Sequence, residues 1–288
     1  MLTYLRHCST ILWSRQISSG GSLVASNKDS FGRTLFIVVG LCLICSIFVS
    51  TAAVVLKPTQ QENKLLDKQK YILEAAGLIN TKQEEVSKAQ IQETYARLVT
   101  AKVVDLASGD YVEGIDGNTF DMEKAARDPS RSFKPENDIA SVKRVANRAV
   151  IYLVNDEAGS LQTVIMPVKG YGLWSTMFAF LAVAPDMNTV QSLVYYDFTG
   201  SGETPGLGGE VQNPKWIAKW TDKKLYDEQG NLAIKVTKNP AIANSVHGVD
   251  ALSGATLTSN GVQHSLTFWL GEEGFARFIE KARNGGLS

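Results

Sequence analysis

Three short segments carry the residue types that could hold or build a reactive centre. The first runs Asp250-Ala251-Leu252-Ser253-Gly254-Ala255-Thr256-Leu257-Thr258-Ser259. Small residues crowd the Thr256 hydroxyl, which leaves room for another enzyme's active site to approach it. A threonine hydroxyl is a poor nucleophile when free and needs an external base or metal, so Thr256 by itself does not read as a catalyst. The following residues predict a helix from Thr258 to Leu270, and amides at its start favour a phosphate there. A helix start capped by Thr and Ser side chains would read the same way, and spacing alone favours that cap. The second segment, Gly200-Ser201-Gly202-Glu203-Thr204-Pro205-Gly206-Leu207-Gly208-Gly209-Glu210, places five glycines in ten positions. That density implies backbone held close to something, or a convoluted turn; with a strand before it and a helix after it, a shaped binding loop fits as well as a linker. The third, Gly170-Tyr171-Gly172-Leu173-Trp174-Ser175, sets a Trp beside glycines. It offers a flat apolar wall to a planar ligand, although a core Trp is equally consistent.

Other chemistries find no footing. No G-x-x-x-x-G-K-[ST] phosphate loop, no G-x-G-x-x-G between strand and helix, and no G-x-S-x-G elbow occurs. His7, His247 and His264 are too few and scattered for a metal site, and His247 reads as a loop hydrogen-bonder. Cys42 and Cys45 form a C-x-x-C spacing inside an apolar run, where the thiolate that redox work needs is disfavoured. All three cysteines precede residue 57, so compartment is not legible from disulfides. The chain is formally neutral, and the residues from Lys57 onward hold 25 basic and 28 acidic side chains, a net of −3. A nucleic-acid partner is therefore not expected.

The elements that must position these segments follow from the apolar pattern. Thr34 to Leu56 is 23 residues without a charge, about 34 Å as a helix against a hydrocarbon core of about 30 Å. It reads as an uncleaved single span, through which an ion route along this helix alone is not expected. Arg6, Arg15, Lys28 and Arg33 before it nearly balance Lys57, Lys64, Lys68 and Lys70 after it, so charge does not set the orientation. Residues 1–33 form a tail, rich in Ser and Gly, without a strong period. Helices are predicted over Glu62–Gly77, Lys82–Leu98 and Ile139–Asn147. Lys102–Leu106 leans apolar ahead of a Ser108-Gly109-Asp110 turn. Ala149–Val154 with Leu161–Val168, and Met177–Ala184 with Thr189–Phe198, read as hairpins. Asn213-Pro214 opens a helix through Trp220, Leu232–Val236 is a short strand, and Gly274–Arg283 a closing helix. The expected fold is α+β: a transmembrane helix at 34–56, a helical membrane-proximal segment at 57–100, and an antiparallel-sheet domain with surrounding helices at 101–288.

The residues now carry a family resemblance. The run from Asp250 to Ser259 resembles the flavinylation motif of the FMN-binding domain family, without a departure at any matched position. The resemblance implies an FMN held covalently as a phosphoester on Thr256, moved there from FAD by a separate flavin transferase, with Ser253, Gly254, Ala255, Leu257 and Thr258 around it. Glu203-Thr204-Pro205-Gly206-Leu207-Gly208 resembles a second family signature, so Glu203, Thr204, Gly206, Leu207 and Gly208 are expected beside the flavin. Gly172-Leu173-Trp174-Ser175 resembles a third, which implies Leu173, Trp174 and Ser175 near the isoalloxazine. The order of tail, span, helical segment, FMN domain and terminal Gly285-Gly286-Leu287 is similar to that of the C subunits of bacterial Na+-translocating NADH:quinone reductases; residues 1–25 have no counterpart. That likeness implies an electron relay from NADH towards ubiquinone coupled to Na+ export, partner subunits in the inner membrane, and an FMN domain on the periplasmic side. The FMN-carrying G subunits of ferredoxin:NAD+ reductase complexes share the same chemistry with other neighbours. A reading of another class is a membrane-anchored binding module without a cofactor.

Overall fold

The computed structural model of the chain describes residues 31–79, 85–196 and 203–285. Two compact units divide at Pro58. The first contains the opening of helix α1, Phe31–Ala75, whose apolar run has a mean hydropathy of 2.6 and no buried residue in its most apolar window. It is the one helix among the described residues long and apolar enough to cross a membrane. The predicted helix at Glu62–Gly77 belongs to this same helix, which includes Pro58. A proline deletes one i→i−4 bond, and no glycine stands between the two runs to end the helix there. The end does come at the predicted glycine. Leu78 N donates to Leu73 O (2.9 Å) and Gly77 N to Glu74 O (3.0 Å), with Gly77 at φ +70°, the hydrogen-bond pair of a Schellman stop.

The second unit is built on a five-stranded antiparallel sheet ordered β1-β4-β5-β6-β7. Its strands are β1 (Val99–Asp105), β4 (Arg148–Asn155), β5 (Leu161–Tyr171), β6 (Thr176–Val183) and β7 (Val190–Tyr196). The two predicted hairpins are present, while residues 197–198 lie outside the described residues. Alternation sends Val164, Met166 and Val168 of β5 to one face, and Ile165 to the other. On the second face Val103, Tyr152, Ile165 and Phe180 pack against Ile72 and Leu73 of α1 and against Ile91 and Tyr95 of α2 (Lys88–Leu98). Helix α2 starts later than its predicted Lys82, because Ser87 and Gln90 close a capping box; residues 82–84 lie outside the described residues. On the first face the larger core gathers Trp220, Leu266, Trp269 and Phe275.

Ile139–Asn147 is not a helix. Both Asp138 carboxylate oxygens accept backbone amides, Val142 N at 2.7 Å and Lys143 N at 2.8 Å, and Ser141 and Lys143 take positive φ. The short side chain thus gives these amides partners that compete with a helical ladder. The segment ends as β3 (Val145–Ala146), paired antiparallel with β2 (Ser132–Phe133), which follows the short helix α3 (Met122–Arg127). The helix at Asn213-Pro214 forms as α4 (Pro214–Ile217) and tightens into a 3-10 turn through Trp220. The strand predicted at Leu232–Val236 is displaced to β8 (Lys235–Thr237). Beyond the short helix α5 (Pro240–Ala243), β9 (Gly248–Asp250) pairs with it in parallel. Leu232 instead makes an isolated bridge to Tyr226. Helices α6 (Thr256–Trp269) and α7 (Ala276–Arg283) close the chain.

Candidate functional site

Helix α6 lies on β5 because glycine stands on both sides of the contact. A Cβ on Gly261 would fall 2.3 Å from Tyr171 O, and one on Gly170 would fall 2.7 Å from Ser265 Cβ. At the far end of the helix Trp269 Nε1 donates to Lys169 O at 2.8 Å. The helix therefore presents its first turn at the end of β5, beside the 172–175 loop.

That first turn begins at Thr256, two residues earlier than predicted. Its N-cap is Ala255, which supplies no side-chain cap. Thr256 is therefore not the capping residue that a bland reading of the motif would make it. Its exposed hydroxyl accepts a hydrogen bond from Lys238 Nζ at 2.6 Å. The serine that does structural work is Ser259. Its Oγ accepts from Leu252 N (2.9 Å) and donates to Ala255 O (2.9 Å), which pins the turn between them. Gly254 sits in the left-handed region at φ +72°, and a Cβ there would meet Leu207 Cδ2 at 2.8 Å. That is how the glycine-rich loop and the Thr256 turn touch.

Glu203 joins all three segments. It is 5% exposed. Its Oε1 accepts from Leu173 N (2.6 Å) and Trp174 N (3.2 Å), and its Oε2 accepts from the Thr258 hydroxyl (2.6 Å). Gly172 and Gly208 make room for the carboxylate: a Cβ on either would come within 2.3 Å of one of its oxygens. A buried carboxylate needs such donors, since leaving it unpaired is costly. Two predicted site residues, Glu203 and Thr258, thus spend polar atoms on each other and hold the loops. Thr204 serves the turn, its carbonyl accepting from Leu207 N and Gly209 N with Gly206 at φ +76°. Ser175 O accepts from Gly172 N at 2.8 Å, and Tyr171 Oη donates to Trp174 O at 2.8 Å, closing the third loop. Residues 200–202 lie outside the described residues.

Four apolar side chains on these loops and turn remain in solvent: Leu173, Trp174 (61% exposed), Leu207 and Leu257 (58% exposed). Ser253 is exposed beside them. Large apolar groups left exposed on converging loops are a mark of interaction surfaces, ligand grooves among them. The arrangement suits FMN: flat apolar groups for a ring system, and a hydroxyl with a lysine at the start of a helix for a phosphate.

Two residues of the site were not found by sequence reasoning. Lys238 follows β8, and Gln263 lies one helical face along α6. Gln263 Oε1 accepts from Val236 N at 2.7 Å and its Nε2 donates to Ile234 O at 3.3 Å, fastening α6 to β8. Ala251 N donates to Thr237 O at 2.9 Å, extending the β8–β9 ladder toward Thr256. His247 is the loop hydrogen-bonder expected, its Nδ1 2.9 Å from Lys224 O.

Comparison with known proteins bears on this geometry. The FMN-binding domain family matches residues 172–271, a stretch that contains the first two segments, the third from Gly172 onward, and both added residues. The C subunit of the Na(+)-translocating NADH-quinone reductase of Vibrio vulnificus is 52% identical over 92% of this chain and its own full length. Its counterpart of the same description from Vibrio alginolyticus is 49% identical over 92% of this chain and again its full length. Among solved structures, Shewanella oneidensis NqrC superposes with a TM-score of 0.70 at 36% identity, covering 77% of this chain and 99% of that one. The Parabacteroides distasonis C subunit of the same reductase gives 0.59 at 27% identity, covering 78% of this chain and 96% of that one.

Proposed function

This chain belongs to the family of Na+-translocating NADH-quinone reductase C subunits, and from that membership we propose that it is the FMN-carrying electron-transfer subunit of such a reductase. Electrons from NADH pass through it towards ubiquinone, coupled to Na+ export, and the activity belongs to the whole complex. The observation that carries the cofactor assignment is the convergence of three loops on the buried Glu203 carboxylate, with the Thr256 hydroxyl and four apolar side chains left facing out.

Thr256 tethers the FMN phosphate as a phosphoester, installed by a flavin transferase. The hydroxyl is accessible, is not consumed as a cap, and sits where helix-start amides favour a phosphate. Leu173, Trp174, Leu207 and Leu257 frame the ring. Glu203, Thr258 and Ser259 keep the frame rigid from behind. The bound isoalloxazine suits a relay between one- and two-electron carriers, while the protein sets its position and potential. The second unit lies on the periplasmic side of the inner membrane, where a covalent tether keeps the cofactor from diffusing away. The other subunits of the complex are its partners. A cofactor-free binding module is disfavoured by the FMN-binding family match at 172–271.

The test is fluorescence of the chain on a denaturing gel after coexpression with a competent flavin transferase. The wild-type band fluoresces and Thr256→Ala is dark; a fluorescent Thr256→Ala band contradicts the tether.

A further inference from the structure

We propose that Lys238 is the positioning residue for flavin attachment: its ammonium orients the Thr256 hydroxyl before transfer and faces the phosphodiester afterwards. The inference rests on the tether reading above and deepens it. Lys238 Nζ donates to Thr256 Oγ1 at 2.6 Å. Lysine on a surface ordinarily samples many rotamers, and holding one costs side-chain entropy, so a contact of this length needs a backbone that brings the stem to the right place. The fold supplies it. Parallel pairing sets Thr237 opposite Asp250, Ala251 N bonds Thr237 O, and Gln263 fastens α6 to Val236 and Ile234. Lys238 then follows directly, and Asn239 caps α5 on its other side, its Oδ1 accepting from Ala241 N at 3.1 Å. The chain is held immediately before and after this lysine.

Charge points the same way. Lys219, which reaches this ladder from the turn after α4, is paired with Asp250 Oδ2 at 2.5 Å. Lys238 has no carboxylate partner among the described residues, and the Thr256 hydroxyl is its hydrogen-bond acceptor. An ammonium without a counter-ion, beside the start of a 14-residue helix, makes a site that lacks one negative charge.

The transfer supplies that charge. The Thr256 Oγ–P bond forms, the phosphoanhydride P–O bond of FAD breaks, AMP leaves, and the hydroxyl proton goes to a base of the transferase. In the donor role Lys238 leaves the Thr256 O–H hydrogen free to be taken, and its charge stabilises the oxygen as that proton departs. The product phosphodiester carries one negative charge, which the same ammonium faces.

The experiment follows attachment in the full-length chain in membranes, with purified flavin transferase and FAD, by gel fluorescence and intact mass over time. Lys238→Met is expected to slow labelling at least about tenfold, and Lys238→Arg to return it to within about threefold of wild type, as for a charge-assisted hydrogen bond. Helix content by circular dichroism serves as the check on folding for both variants. Lys238→Met labelling within about twofold of wild type, or Lys238→Arg as slow as Lys238→Met, overturns the proposal. Thr256→Ala runs alongside: if it acquires flavin, the tether reading itself has failed, whatever the Lys238 variants do.

Discussion

At the scale of residues, the site depends on one buried carboxylate. Glu203 satisfies two backbone amides and one hydroxyl, and each donor left unmatched in a buried place costs about 1–3 kcal/mol. Glu203→Ala is therefore expected to destabilise the second unit by about 3 kcal/mol. Glu203→Gln should cost about 1 kcal/mol, since its carbonyl still accepts from Leu173 N and Trp174 N while its amide meets Thr258. Urea titration of the two variants measures the difference; equal losses would mean that the acceptor bonds are not what matters. This role was not legible in sequence, where the glycine-rich loop marks Glu203 only as a companion of a ligand. Burial and bonding are properties of the meeting of three segments, and Gly172 and Gly208 reveal their purpose only once the carboxylate is seen beside them. Thr256 was legible in part. The small-residue run around it is visible in sequence, but whether the threonine caps its helix depends on where the helix starts. That start fell at Thr256 and not at Thr258. Lys238 was out of reach, because it lies 18 residues from Thr256 and meets it through strand pairing.

At the scale of elements, most of the sheet could be read from alternation and turn residues, and both hairpins lie close to their predicted limits. The failures have local causes. Asp138 diverts the amides of a segment with helical spacing. The weak apolar run at Leu232–Val236 yields to a parallel pairing whose partner, Gly248–Asp250, is too short to announce itself. Parallel pairs are joined by long connections, so register between them leaves little trace in either strand. The contact of α6 with β5 makes its own prediction. Alanine is the better helix former by about 1 kcal/mol, yet Gly261→Ala would set a Cβ 2.3 Å from Tyr171 O, against backbone that has no side-chain freedom to give. Overpacking of this kind costs about 1–3 kcal/mol. The variant should therefore melt below wild type and label more slowly with flavin, because the first turn of α6 is pushed away from the 172–175 loop. An unchanged or raised melting temperature would show that the approach is looser than described.

At the scale of the whole molecule, the chain combines a helix with an exposed apolar run and a folded unit from Thr59 onward. The division follows from composition, and the solved relatives cover 77% and 78% of the chain. A chain beginning at Thr59 is expected to leave the membrane fraction, fold cooperatively and accept flavin; recovery only in the membrane pellet would assign membrane attachment to the second unit as well. The folded unit should also be acid-labile. Several turn carboxyls are held below their ordinary range: Asp110 by the Lys281 ammonium and the Ser108 hydroxyl, Asp128 by the Ser130 hydroxyl and amide, and Asp156 and Asp227 first by the amides of Ser160 and Asn231. Burial pushes Asp186 up, but the Thr189 hydroxyl and amide, the Asn188 amide and Lys224 bring it down overall. A carboxyl with a depressed native value contributes stability that is complete above its unfolded value of about 4 and lost as pH falls below it. The urea midpoint should hold steady from neutrality to about pH 5 and decline below about pH 4. The double variant Asp156→Asn, Asp227→Asn should flatten that decline, and an identical acid limb in the variant would remove these turns as its cause.

The most direct test of the central claim is fragmentation mass spectrometry of the chain purified from cells that contain a flavin transferase. Trypsin releases one peptide from Asn239 to Arg277 that contains Ser253, Thr256, Thr258 and Ser259. The predicted result is a single modification equal to FMN less one water, located on Thr256. An unmodified peptide, or the same mass on Ser253, Thr258 or Ser259, would contradict the assignment of Thr256 as the tether.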